Sequence, residues 1–243
     1  MARHTHAQSK RRRILRSLCR GVLRLFGGFF LLLVLTILIL RFVDPPLWSW
    51  RIHRAIDPPA NYPQQPRHQW VSLERMPPAL LLAVVASEDQ RFPRHHGIDL
   101  EAIHSALQAA ERGKPLRGAS TLTQQTAKNL FLWSDRAFSR KFLELGLALL
   151  LELLWDKHRI LEVYLNIVEF GPGIYGVGAA SEYWFHRPVE RISSVQAARL
   201  AAILPNPWRY QAQPPTPYVQ ERSRWIVQQM QQLGYAWLDP VYE

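Results

Sequence analysis

Residues 25–40, LFGGFFLLLVLTILIL, form a run of sixteen with no charged side chain. Such a run belongs in a bilayer or at the centre of a large core, and its flanks decide between the two. Sixteen residues fall a little short of the ~20 that cross a bilayer. Arg24 and Arg41 are placed to snorkel at either end, and Phe42 and Val43 lengthen the span. Trp48 and Trp50 follow at the depth of an aromatic belt. A cleaved signal peptide would have an apolar region of ~7–15 residues and a small-residue cleavage site, whereas this segment ends in RFVDPP. The expected element is an uncleaved anchor over residues 25–43. Residues 1–24 carry Arg3, Lys10, Arg11, Arg12, Arg13, Arg16, Arg20 and Arg24 and no acid. That tail stays in the cytoplasm under the positive-inside rule, which places the chain from residue 44 onward outside.

The tail also accounts for most of the charge. The formal net charge is +11, and the tail's eight cations leave only +3 for the remainder. This gives no support to a basic nucleic-acid-binding domain. Cys19, the single cysteine, lies in the tail, so the exported part has no thiol chemistry of its own. With 48% hydrophobic and 20% charged residues, the chain has the composition of a folded protein.

Residues 44–71 are rich in Pro and Trp (DPPLWSW, IDPPANYPQQP) and read as an irregular stalk. Beyond it, residues 72–235 show helical patterning with short breaks, followed by a C-terminal tail over 236–243. Helices are expected at LLLAVVASEDQ, LEAIHSALQAAER, TLTQQTAKNLFL, a long one from Arg136 to His158, RILEVYLNIVEF, the stretch after GPGIYG, SVQAARLAAIL and TPYVQERSRWIVQQMQQLG. No β-type alternation is sustained, so the fold class is mainly α.

Four stretches carry polar groups that a plain helical core does not need. In SEDQRFPRHHGID, Glu88 and Asp89 close an apolar helix, where acids oppose the macrodipole. Glu88 lies one turn beyond Val84 and Val85, which makes it a candidate for a raised pKa and general-base work. An exposed helix end paired with Arg91 or Arg94 fits the stretch equally well. His95 and His96 are adjacent and have no further ligand at metal spacing, so a zinc site is not expected. In RGASTLTQQTAKN, Thr121 and Gln124 have capping-box spacing, and the Gly118 turn into a helix start is an anion-site geometry. A well-capped helix explains the caps, but it does not explain Ser120, Gln124, Gln125 and Lys128 gathered on one short element. In RAFSRKFLELGLALLLELLWDKH, spacing by four aligns Arg136, Arg140, Glu144 and Glu152, with Lys141 one turn before Glu144. This reads as a narrow polar stripe on an otherwise core helix, fit for a di-anionic group; a solvent-facing ion-pair ladder would contribute only ~0.3–0.5 kcal/mol per pair. In the fourth stretch, Gly171, Gly173, Gly176 and Gly178 with Tyr164, Tyr175 and Tyr183 suit either tight helix packing or a sugar-sized groove. Together, a base at Glu88 and cations at Lys128, Arg136, Arg140 and Lys141 fit displacement of a diphosphate by a sugar hydroxyl. Outside the cytoplasm the donor for that chemistry is a lipid diphosphate sugar.

EDQRFPRHHG resembles the E-D-x-x-F-x-x-H-x-G motif of the peptidoglycan glycosyltransferases, the transglycosylase module of class A penicillin-binding proteins. GASTLTQQTAKN, RKFLELGLALLLE, KHRILEVYLNIVEFGPGIYGVGAASEYWF and AARLAAILPNPWRY resemble the second to fifth motifs, in order. With no transpeptidase module after them, the resemblance is to the monofunctional biosynthetic form of Gram-negative inner membranes. It implies a lysozyme-like, mainly α fold with a small membrane-proximal jaw lobe. It implies polymerisation of lipid II into β-1,4-linked glycan with inversion at the muramyl C1 and release of the lipid diphosphate. It also implies Glu88 as base, Glu144 as the second catalytic glutamate, phosphate binding by Lys128, Arg136, Arg140 and Lys141, and groove-lining by Ser120, Gln124, Gln125 and Asn129. A divalent cation, Mg²⁺ or Mn²⁺, is expected to assist, with the diphosphate rather than an all-protein cage supplying ligands. Leu143 departs from relatives that carry Lys before the second glutamate. Expected partners are lipid II, the growing strand, the bilayer, and cell-wall synthesis or division proteins. The competing readings are an inert lipid II-binding scaffold and a lysozyme-like lytic enzyme.

Overall fold

A computed structural model describes residues 2–113, 120–133 and 137–243, and the side chains of all of these except residues 2–17 and 107. The chain divides into two units, residues 1–44 and 45–243. The first unit is one helix, α1 (Ala2–Leu40). Its apolar stretch is Leu18–Leu40, 23 residues with mean hydropathy 2.6, or about 34 Å at 1.5 Å per residue, enough to cross a hydrocarbon core. The stretch starts earlier than the expected 25–43, because Leu18, Val22 and Leu23 extend it past Arg20 and Arg24.

The second unit is mainly α. In chain order it contains α2 (Ser49–Ile56), β1 (Arg67–His68), α3 (Pro78–Glu88), α4 (Leu100–Glu111), α5 (Leu122–Phe131), α6 (Phe138–Leu154), α7 (Lys157–Ile167), β2 (Glu169–Gly171), β3 (Ile174–Tyr175), α8 (Gly176–Phe185), α9 (Ser194–Ile203) and α10 (Pro217–Leu233). The sequence of α3 is apolar on every side, so the helix has to be central. Leu80 through Ala86 are all at most 1% exposed, and α3 packs against α9 and α10. Burial of each Leu or Val there contributes about 1.5–3 kcal/mol. Proline at the start of α3 costs nothing, since its missing N–H lies in the first turn.

Capping side chains set the helix starts. Asp99 accepts from the Ala102 N–H, and Asp156 from the Arg159 N–H. Thr121 with Gln124, and Ser193 with Gln196, form full capping boxes. The Asp156 cap explains a difference from the single long helix expected over Arg136–His158. The chain breaks at Trp155 and restarts as α7, because Asp156 satisfies the new N-terminus.

Residues 44–71 also differ from the irregular stalk expected. Pro58 and Pro59 stop α2 but do not prevent it. Trp48 is 1% exposed. Trp50 and Trp208 both donate to Glu169, at 3.2 and 3.1 Å. Residues 45–71 are part of the folded unit. The small sheet, in order β1-β3-β2, was not expected either. Its strands of two or three residues are too short to show a period-two pattern.

Gly176 turns the chain from β3 into α8 at φ +75°, and a Cβ there would stand 2.6 Å from the Asn166 carbonyl oxygen. Asn166 is fully buried and clamps Val71 by both its N–H and C=O at 2.8 Å. Gly176→Ala is therefore expected to cost about 3 kcal/mol, a fall of roughly 6–12 °C in thermal midpoint followed by circular dichroism.

Candidate active site

The last turn of α3 brings Glu88 to the wall of a cavity of about 310 Å³, lined also by Asp89, Ser120, Thr121 and Trp225. Gln125, on α5, donates to Glu88 Oε2 at 3.1 Å, and the Tyr164 hydroxyl donates to Gln125 Oε1 at 3.1 Å. Burial and the nearby Glu88 and Asp89 charges push the Tyr164 phenol far up. It therefore stays a donor and fixes the Gln125 amide. Burial raises the Glu88 pKa above the usual carboxylate range, and the bond from Gln125 and the charge of Arg222 offset part of that rise. Glu88 is half-buried at the cavity wall, and neither Arg91 nor Arg94 pairs with it. Arg91 pairs instead with Glu101 and, at 3.8 Å, with Asp99, while Arg94 stacks on Trp237.

Asp89 is a scaffold for this turn. Its carboxylate takes His95 Nε2 at 2.9 Å and the first N–H of α5, from Leu122, at 2.9 Å. It thus ties the end of α3 to the start of α5. Phe92 is fully buried and meets the His95 ring edge-on. Lys157 donates to the His95 carbonyl and to Glu152, which in turn accepts from Thr123. Glu152, aligned in sequence with Glu144, therefore belongs to this buried support. Gly97 lets the motif loop lie against α6, where a Cβ would come within 3.1 Å of the Ala148 carbonyl.

One helical turn along α5 from Gln125 stands Lys128. Burial lowers its pKa, Glu144 and Glu88 oppose that shift, and Arg140 and Lys141 add to it. Its ammonium lies 5.6 Å above the Trp50 ring. Glu144, 3% exposed, holds Arg140 at 2.7 Å through one carboxylate oxygen and Lys141 through the other. Lys141 also donates to Ser120 Oγ at 2.9 Å and Gln124 Oε1 at 3.3 Å, which pins α6 to the start of α5. Asn129 is buried on α5 beyond Lys128. Glu88, Gln124, Gln125, Lys128, Asn129, Arg140, Lys141 and Glu144 thus fall on the end of α3 and on two adjacent helices, α5 and α6, with Ser120 just before the α5 cap. Arg136 and Gly118 lie outside the described residues.

The reading of α6 as a core helix with a polar stripe is corrected. Phe138 is 96% exposed, Phe142 and Leu153 77%, and Leu149 50%. The buried side of α6 is the one carrying Glu144, Leu147, Ala148 and Leu151. Lys141 reaches Ser120 and Gln124 and so turns the Glu144 side of α6 toward α5, which leaves Phe138, Phe142, Leu149 and Leu153 outside.

Among the described residues, no group of three or more His, Cys, Asp and Glu is arranged to hold a metal ion. Glu144 supplies one carboxylate, and both its oxygens are engaged by cations, so these residues alone do not fit a resident divalent ion. Sequence reasoning missed Trp50, Arg222 and Trp225. Arg222 donates to the Ser87 carbonyl across 135 residues of chain, a separation no local spacing rule reaches.

The site has the parts of a transferase that moves a group off an anionic carrier, and relatives of the chain point the same way. The chain is 55% identical over 231 residues to the biosynthetic peptidoglycan transglycosylase of Shewanella oneidensis, covering 92% of this chain and 99% of that one. It is 53% identical to the protein of that name from Aeromonas hydrophila (94% and 97% covered) and 48% identical to that from Pseudomonas aeruginosa (91% and 96%). Residues 57–231, which include every site residue above except Trp50, match the transglycosylase family. The chain belongs to the transglycosylase family.

Proposed function

We propose that the protein is a peptidoglycan glycosyltransferase that polymerises lipid II into β-1,4-linked glycan. Helix α1 holds it in the inner membrane, with the basic tail in the cytoplasm and residues 45–243 in the periplasm. The observation that carries this reading is the arrangement along α5. The carboxylate of Glu88 is held by Gln125 in the first turn of α5, the neighbouring Gln124 accepts from Lys141, which with Arg140 pairs with Glu144, and Lys128 follows one turn further along the same helix.

Glu88 takes the proton of the glucosamine 4-hydroxyl of the incoming lipid II as that oxygen attacks C1 of the muramyl sugar. The C1–O bond to the diphosphate breaks, and its electron pair leaves with the diphosphate oxygen. Lys128, Arg140 and Lys141 stabilise the charge that develops there. Desolvation makes Glu88 a stronger base than a solvated carboxylate. Glu144, with both oxygens occupied, orients the cations and is not a free nucleophile, which supports one inverting displacement. A divalent cation assisting departure is proposed as one carried by the diphosphate's own oxygens, and no protein step is routed through it. The outward Phe138, Phe142 and Leu153 of α6 suit contact with the acyl region of the bilayer where both substrates' tails lie.

Purified full-length protein in detergent with Mg²⁺ and labelled lipid II tests this on a gel. A glycan ladder is expected. Lipid II binding without a ladder would favour the inert scaffold, and shortening of preformed labelled glycan would favour the lytic enzyme. Because Glu88 must be ionised and its pKa is raised, kcat/KM is expected to fall as pH drops through a value above the ordinary carboxylate range. An acid limb at the position of a free carboxylate would contradict the desolvated base.

A further inference from the structure

Helix α10 forms a wall of the Glu88 cavity, and nothing said so far gives it a role. Arg222 projects from α10 to donate to the Ser87 carbonyl at 3.2 Å. That carbonyl belongs to the final turn of α3, the negative end of the helix dipole, where Glu88 adds a further negative charge. The Arg222 guanidinium carbon lies 3.9 Å above the ring centroid of Trp225, and Trp225 lines the same cavity as Glu88. Its Nε–H is buried with no partner. Arg222 is held by this stack and by its hydrogen bond to the turn that carries the carboxylate. Gln229 of α10 reinforces the contact by accepting from Gln90 at 3.1 Å.

We propose that Arg222 is a positioning residue for Glu88: it clamps the last turn of α3 and supplies, from the α10 side, the positive charge that keeps the carboxylate ionised in its dry wall. The other groups facing Glu88 leave room for this role. Asp89, on α3, is engaged by His95 and the Leu122 N–H. Gln125, on α5, is a neutral donor, and Tyr164, on α7, acts through Gln125. Lys128 feels Glu144 more strongly than Glu88. Among the charges acting on Glu88, that of Arg222 is the largest that favours its ionised form.

The inference rests on Glu88 being the base, and the test separates the two. The readout is kcat/KM for lipid II polymerisation between about pH 5 and pH 9, for wild type, Arg222→Gln, Arg222→Met, Arg222→Lys and Glu88→Gln, with thermal unfolding of each. Arg222→Gln and Arg222→Met are expected to move the acid limb to higher pH. Their rates should fall several-fold more at the acid end than at the alkaline end, and Arg222→Lys should restore the limb. A uniform loss at every pH, or a limb that Arg222→Lys does not restore, overturns the proposal and leaves Arg222 a packing residue. Failure of both neutral variants to fold while Arg222→Lys folds overturns it too, by assigning the cation to stability. An active Glu88→Gln overturns the base itself. An inactive Glu88→Gln with an unmoved limb in the Arg222 variants overturns the Arg222 role alone.

Discussion

Glu88→Gln is expected to lower glycan formation from lipid II by about 10²–10⁴-fold, the range a positioned general base supplies, while lipid II still binds. Its stability should move the other way. The folded state holds the Glu88 proton more tightly than the unfolded chain does, because burial disfavours the charged form. Ionising it therefore costs stability, and that cost grows as pH rises from the unfolded value through the raised, folded one. Glutamine keeps the shape, has no charge to desolvate, and can still meet the Gln125 amide. Its thermal midpoint should equal that of the wild type below this window and be no lower above it. A variant that loses activity because it unfolds would show the reverse.

Lys128→Met is expected to separate function from stability in the same way by a different route. Among the described residues no carboxylate lies within ion-pair distance of the Lys128 ammonium, whereas Arg140 and Lys141 are both paired with Glu144. Burial depresses the Lys128 pKa, so its charged form destabilises the fold until pH rises through the depressed value. Methionine fills similar space without that cost, and thermal unfolding in detergent should show no fall in midpoint. Loss of an unpaired, desolvated cation facing the leaving group should nevertheless reduce kcat/KM by about 10²–10³-fold. A normal rate would mean that the diphosphate lies elsewhere; a collapsed midpoint would mean that Lys128 is structural.

These outcomes turn on features that the sequence revealed unevenly. Local chemistry was readable: the capping box at Thr121 and Gln124 and the apolar helix that Glu88 closes both follow from spacing and composition. So does the grouping of Gln124, Gln125 and Lys128 on one helix and of Arg140, Lys141 and Glu144 on another, because periodicity fixes the face each residue takes. The orientation of α6 was not readable. Periodicity shows that it has a charged face and an apolar one, but the hold of Lys141 on Ser120 and Gln124, from another part of the chain, turned the charged face inward. The folding of residues 45–71 into the domain depends on Glu169 meeting Trp50 and Trp208 from distant parts of the chain. Arg222 was invisible for the same reason: on its own helix it is an ordinary arginine, and it acquires meaning only where α10 crosses the end of α3.

The central claim, a single displacement with Glu88 as base and the diphosphate held by cations, is tested most directly by following both products of one reaction. Lipid II carrying distinct labels on sugar and lipid would be polymerised, the released lipid diphosphate counted against glycosidic bonds formed, and the new linkages assigned by NMR. The account predicts one lipid diphosphate per bond, every new bond β-1,4, and no sugar attached to the protein in a quenched sample. An α linkage, or a glycosyl group trapped on Glu88 or Glu144, would contradict it.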